Sequence, residues 1–329
     1  MKTFNFIFFV CLLLSNILKA QVAENVNLLF NWNEDTLVGS AAFDNVYNEI
    51  WGVVIDDREY AIIGSTYGTH FFDVTNPQSS YEAAFVMGRV VGPEIIHRDY
   101  HDYQGYLYAV SDEGASSLQI IDISTLPDSV SVVYDSSDLF ERSHNIFIDT
   151  AKARLYTTNG DIYSLEDPLD PKFIYNSPLL SCHDVYVEND TAYINRGTQG
   201  FAIVDFSQTS LENQSHEVIG TLASYADQGY NHSGWITPDG NYYAMADETW
   251  GMRMKMLDIS DFSNIEVIAL FGSGVDVNSI PHNQIINGNY LYTAYYHDGL
   301  YVHDISNPST PILIGYYDTF EPNHHDSYM

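Results

Sequence analysis

Residues 281–318 read PHNQIINGNYLYTAYYHDGLYVHDISNPSTPILIGYYD. Apolar, β-branched and aromatic residues fill four short runs, at 282–286, 290–296, 300–305 and 312–317. The gaps hold turn formers: Asn287-Gly288-Asn289, His297-Asp298-Gly299 and Ser306-Asn307-Pro308. Short alternating runs bounded by Asn, Asp, Gly and Pro predict strands joined by tight turns. Four of them in fewer than 40 residues make one antiparallel sheet.

The rest of the chain repeats this unit. Aligned on the end of the third run, the copies read HFFD at 70–73, QIID at 119–122, AIVD at 202–205, KMLD at 255–258 and YVHD at 301–304. A degenerate copy, DIYS, falls at 161–164. Successive copies are 49, 42, 41, 53 and 46 residues apart. A period in the forties with four strands per period predicts an all-β protein, a β-propeller of four-stranded antiparallel blades. A β-sandwich is the alternative, but its strands lack this self-similarity. Six units are visible, beginning near Trp51, Arg98, His144, His183, His232 and His282. The run VNLLFNW at 26–32 resembles the fourth run of a unit. It is expected to be the outer strand of a closing blade, which makes the chain a truncated seven-bladed ring. A six-bladed ring with a loose N-terminal strand is the other arrangement.

The pattern divides the chain into a leader at 1–20, an N-terminal segment at 21–47, blades at 48–317 and a tail at 318–329. The leader has Lys2, an apolar run at 6–14 and Ala20 before Gln21, the features of a secretory signal peptide cut after Ala20. No later apolar run is long enough to span a membrane. Cys11 lies in the leader, so Cys182 alone follows it and no internal disulfide is expected. The expected location is therefore secreted, extracellular or cell-surface.

The chain carries 12 Lys+Arg against 44 Asp+Glu, a net charge of −32. Removing Lys2 and Lys19 leaves 10 against 44, hence −34 for the remainder. Such acidity opposes binding to nucleic acid or anionic membranes and attracts cations.

The runs Leu118-Gln119-Ile120-Ile121-Asp122 and Phe201-Ala202-Ile203-Val204-Asp205 resemble LVIVD repeats. The segment from Glu49-Ile50-Trp51-Gly52 through Arg58-Glu59-Tyr60, Gly68-Thr69 and Phe72-Asp73-Val74-Thr75-Asn76-Pro77 is similar to the opening of choice-of-anchor B proteins, as is Arg98-Asp99. The resemblance implies an exported bacterial propeller, often held at the surface by a C-terminal sorting segment. It implies no particular reaction.

Innermost strands of a propeller line the central channel, so equivalent positions on them converge. Trp51, Arg98, His144, His183, His232 and His282 occupy the first-strand starts, and four imidazoles are expected around one mouth. The loops between second and third strands return to that face. They bring Ser65-Thr66, Asp112, Glu113, Asn159, Arg196, Asp247, Glu248 and His297-Asp298. Imidazoles and carboxylates on one rim suit a divalent metal, with His144, His183, His232 and His282 as candidate ligands. A polar substrate, a partner peptide or an ordinary polar lining suits them equally. The repeated aspartates Asp73, Asp122, Asp205, Asp258 and Asp304 end their strands at the opposite face. They read as turn formers rather than partners of the histidines.

No nucleophile elbow, phosphate loop, dinucleotide fingerprint or HExxH pattern occurs. Met252, Met254 and Met256 alternate as packing residues. The tyrosines read as strand residues or an aromatic sugar-binding rim, and His324-His325-Asp326 as a polar tail or a metal ligand set. Three Asn-x-Ser/Thr sequons, at Asn189, Asn213 and Asn231, matter only in a eukaryotic secretory route. The sequence thus predicts an exported binding or interaction propeller with an unknown extracellular ligand. A metal-dependent hydrolase or oxidoreductase at the histidine mouth is the alternative.

Overall fold

The computed structural model describes residues 23–43, 45–274, 279–296 and 298–319. The leader and its cut site, His297 and the His324-His325-Asp326 segment lie outside the described residues. Within them the regular elements are strands apart from one short 3-10 turn, Pro77–Ser79.

Six sheets follow one another in chain order. Each is a four-stranded antiparallel meander at its core, covering residues 47–87, 98–136, 146–181, 184–222, 231–271 and 281–317; these are blades 1 to 6. The first strands of neighbouring blades lie against each other and so form the inner wall. Apolar residues on both faces of each inner blade interlock with the next. Ile62 and Phe71 meet Tyr100 and Leu107, for example, and Ile203 and Phe201 meet Tyr243 and Leu257. Five such clusters join blades 1–2, 2–3, 3–4, 4–5 and 5–6.

The strand-ending aspartates behave as turn formers. Asp304 Oδ1 accepts from Ser306 N at 2.8 Å, Asp258 Oδ1 from Ser260 N at 3.0 Å and Asp122 Oδ1 from Ser124 N at 2.9 Å. Asp205 and Asp73 do the same with Ser207 and Thr75. Asp73 also pairs with Arg58.

The two end blades differ from the inner four. In blade 6, Tyr290, Tyr292 and Ala294 are exposed while Leu291, Thr293 and Tyr295 are buried. In blade 1, Ile50, Val54 and Phe85 are exposed. One face of each end blade therefore presents apolar residues to solvent.

The expected strand at 26–32 is not formed. Instead Ala23–Glu24 pairs with Ile312–Tyr317 and adds a fifth strand to blade 6. Asn25 then adopts a left-handed conformation, φ 54°, and donates Nδ2 to the Ile314 carbonyl, which ends the pairing after two residues. The chain crosses to blade 1, where the Trp32 ring packs on Tyr47, His70 and Phe72.

Candidate functional site: the histidine mouth of the channel

Side chains two residues apart on a strand share a face. Three tiers stack along the channel wall: in blades 1 and 2 they follow this period, while in blades 3 to 5 the imidazole precedes its aromatic by three residues, with a bulge at His232 taking up the extra residue in blade 5. The outer tier is imidazole, from His97, His144, His183, His232 and His282. Neighbouring rings follow one another with centroids 5.1, 4.6, 4.0 and 4.1 Å apart. Tyr296 closes the row, 4.7 Å from His282. Below come carboxylates: Glu49, Asp99 between His97 and His101, and Asp184 between His183 and Tyr186. The third tier is aromatic, Trp51, His101, Phe147, Tyr186 and Trp235, with successive centroids 4.6, 4.8, 4.8 and 5.0 Å apart.

The outer tier is polarised. Glu113 holds the His97 ring through Nδ1 and also accepts from the backbone N–H of Ile96 and His97. Asp112 Oδ2 sits 3.0 Å from His144 Nδ1. Burial opposes protonation of His97, but the bond to Glu113 outweighs it and the net pKa is raised. Hydrogen bonding to His144 lowers that of Asp112.

On the other side the imidazoles are held neutral. Burial, then the neighbouring His144, pushes His183 down to about 4. Burial with His183 and His144 pushes His282 down to about 3. His232, 3% exposed, is lowered well below its ordinary range by burial and by His282 and His183. Its Nδ1 is buried without a hydrogen-bond partner, and its Nε2 lies 3.7 Å from Glu248 Oε2. His183 Nδ1 faces the His232 carbonyl at 3.2 Å. Tyr296 donates its hydroxyl to Glu248 Oε1 at 2.6 Å.

In the middle tier burial raises every carboxyl: Glu49 to about 7, Asp99 well above the usual range with Glu49 adding to it, and Asp184 upward. The Ile146 amide donates to Asp99 at 2.6 Å, and Asn145 Nδ2 to Asp184 at 3.0 Å.

Of the residues expected at the mouth, His144, His183, His232, His282, Asp112, Glu113 and Glu248 converge there. Arg98 does not. Its side chain is buried between blades, with Nε donating to the Ser65 carbonyl at 2.8 Å and Nη2 to that of Val90 at 3.1 Å. The imidazole of blade 2 is His97, one residue earlier. Trp51 lies deeper, in the aromatic tier, and donates Nε1 to Asp102.

Asp247 is completely buried and structural, accepting from Lys255 Nζ at 3.0 Å, Tyr225 at 2.9 Å and Gly229 N at 2.6 Å. Arg196 turns to Gln199 of its own loop. His97 and, apart from Trp51, the two lower tiers were missed from the sequence. The alternation His97-x-Asp99-x-His101 and Glu49-x-Trp51 was the signal that carried them.

The LVIVD repeat model matches residues 181–215 and 284–319, which lie mainly in blades 4 and 6. No curated protein matches the sequence. Among solved structures, a protein from Lactobacillus plantarum is 11% identical over 82% of each chain, with a TM-score of 0.61. A putative 6-phosphogluconolactonase from Bacteroides fragilis is 12% identical over 85% of this chain and 84% of that one, TM-score 0.59. YCF48 bound to D1 peptide is 11% identical over 91% and 88%, TM-score 0.56. At these identities the likeness is one of fold. The chain is a β-propeller carrying LVIVD repeats.

Proposed function

We propose that this protein is an exported, surface-associated binding propeller of the choice-of-anchor B type, and that its ligand site is the histidine mouth. The observation that carries the reading is the row of five imidazoles, three held neutral by burial, beside the rim carboxylates Asp112, Glu113 and Glu248. Neutral imidazoles offer both donors and lone pairs to a polar ligand. The imidazoles stand at the starts of paired strands, the fixed placing that a preformed site requires. The leader-like pattern at 1–20 and the repeats support export. The solvent-facing apolar sides of blades 1 and 6 support a further blade between them. An isolated chain of this length should then bind a hydrophobic dye through those faces, and absence of dye binding would refute the open ring.

Capture from panels of extracellular glycans and peptides tests the mouth. A ligand held by the wild type and released by a His183→Gln/His282→Gln double variant supports it. Undiminished capture by that variant places the ligand elsewhere. A metal-dependent enzyme at the same mouth is the second reading, favoured by the placing of Glu248 beside His232. The neighbour named as a lactonase makes lactone hydrolysis its first assay; turnover abolished by the same variant would select it.

A further inference from the structure

We infer that His183, His232 and Glu248 form a binding site for one divalent transition-metal ion of the zinc class, with His183 Nε2, His232 Nε2 and Glu248 Oε2 as donors. The inference rests on the mouth being the ligand site and names what binds first in it.

Two groups of donors converge in the mouth: His97, Asp112 and His144, and His183, His232 and Glu248. In each group the donor atoms lie within 4.8 Å of one another. The two differ in how their polar atoms are spent. In the first, Asp112 is hydrogen-bonded to His144 and His97 to Glu113, so the carboxylates and rings satisfy each other. In the second, His232 and Glu248 stand 3.7 Å apart, beyond hydrogen-bond length, with His232 almost wholly buried and its Nδ1 unpartnered. The atoms that face each other are His232 Nε2 and Glu248 Oε2, and at that distance neither is spent on the other, so both are left for an ion.

The surroundings fit a metal ligand set. A His183 Nδ1–H donated to the His232 carbonyl fixes the tautomer and leaves the lone pair on Nε2. Tyr296 occupies Glu248 Oε1 and leaves Oε2 on the His232 side. Tetrahedral ligands at about 2.0–2.1 Å from zinc stand about 3.4 Å apart, so the His232–Glu248 pair is already near the required spacing. Glu248, a quarter exposed, has room to close the remainder. Two imidazoles and one carboxylate suit zinc or cobalt better than calcium or magnesium, which favour all-oxygen shells. Three protein donors leave one coordination position for a ligand atom.

The test is titration of chelator-stripped full-length protein with Zn²⁺ and with Co²⁺ alone. Equilibrium dialysis is expected to give one equivalent, and Co²⁺ the strong visible bands of a tetrahedral site. His183→Gln and Glu248→Gln, both at partly exposed positions, should each weaken binding by at least about tenfold to a hundredfold while keeping the wild-type circular dichroism. His232→Ala is expected to lose it altogether, and the other two variants hold the test if that one misfolds. Absence of a saturable equivalent would overturn the inference. So would wild-type affinity in both Gln variants, or retention in Glu248→Gln with loss in Asp112→Asn, which places the ion at the other group. Any of these outcomes, with ligand capture still lost in His183→Gln/His282→Gln, leaves the binding module standing without a metal.

Discussion

Replacing Glu49 by Gln isolates the charge stored in the middle tier. Burial raises the Glu49 carboxyl from its ordinary 4.5 to about 7. Between those values the native protein keeps a proton that the unfolded chain gives up. Native protein then binds more protons than unfolded, so this group makes stability fall as pH rises from 4.5 to 7. Above 7 both forms are ionised and the whole penalty is present. A shift of that size corresponds to about 3 kcal/mol at most. Glu49 keeps some accessible surface on the channel wall, and water there lowers the figure to about 1–3 kcal/mol. Asp99 is coupled to it, since the Glu49 charge helps raise Asp99; removing that charge relieves both.

Gln is isosteric, stays neutral, and its amide oxygen still accepts from Ile50 N, a 3.0 Å bond in the native protein. The buried histidines titrate with the opposite sign, but identically in both proteins, and cancel in the difference. Urea titrations at pH 4.5, 6 and 8 should show the variant gaining about 1–3 kcal/mol on the wild type between the first and last, at constant m. A difference that is flat with pH, or of opposite sign, refutes the buried acidic tier.

Three further outcomes follow from the same structure. His101 and His183, held near 4, and His282, near 3, are neutral in the fold but charge at about 6.5 when unfolded. Their contribution to stability is therefore present above pH 6.5 and lost as pH falls toward 4; the buried carboxyls act with the opposite sign, so the readout is a difference, in which His282→Gln should gain on the wild type as pH falls from 6.5 to 4, and a difference flat with pH would contradict the burial of His282. Asp247→Ala strands the fully buried Lys255 ammonium and should cost about 3–5 kcal/mol by urea denaturation, most of it recovered in Asp247→Leu/Lys255→Met; a loss below about 1 kcal/mol would show that the pair is solvated. Asp304→Ala breaks only a turn at the far end of blade 6. It should cost about 0.5–1.5 kcal/mol and leave metal uptake and ligand capture unchanged.

The blades were legible because their signal is local and repeated. A run of four or five apolar residues ending in Asp, then Ser or Thr two residues on, marks one strand and its turn whatever surrounds it. The repeat located all six units and put the turn aspartates at the opposite end from the histidines. What local pattern cannot supply is phase. Counting back along the alignment gave Arg98 for the mouth, one residue from His97. On a strand a single residue exchanges the channel face for the blade interior. Arg98 is accordingly buried against the Ser65 and Val90 carbonyls, where its charge ties blade 1 to blade 2.

Trp51 is the same error at larger scale, because the first hairpin of blade 1 runs four pairs past it, to Ile55 and Arg58, where those of blades 2 and 4 run two pairs past His101 and Tyr186. Asp247 failed for another reason. Its loop does return to the mouth, but Lys255 on the next strand claims the carboxylate, while the adjacent Glu248 is left for His232. Two neighbouring acids in one loop thus take opposite roles according to which cation or imidazole the fold brings to each. That pairing is set between strands 8 and 16 residues apart on blade 5, and it decides which carboxylate the mouth can use.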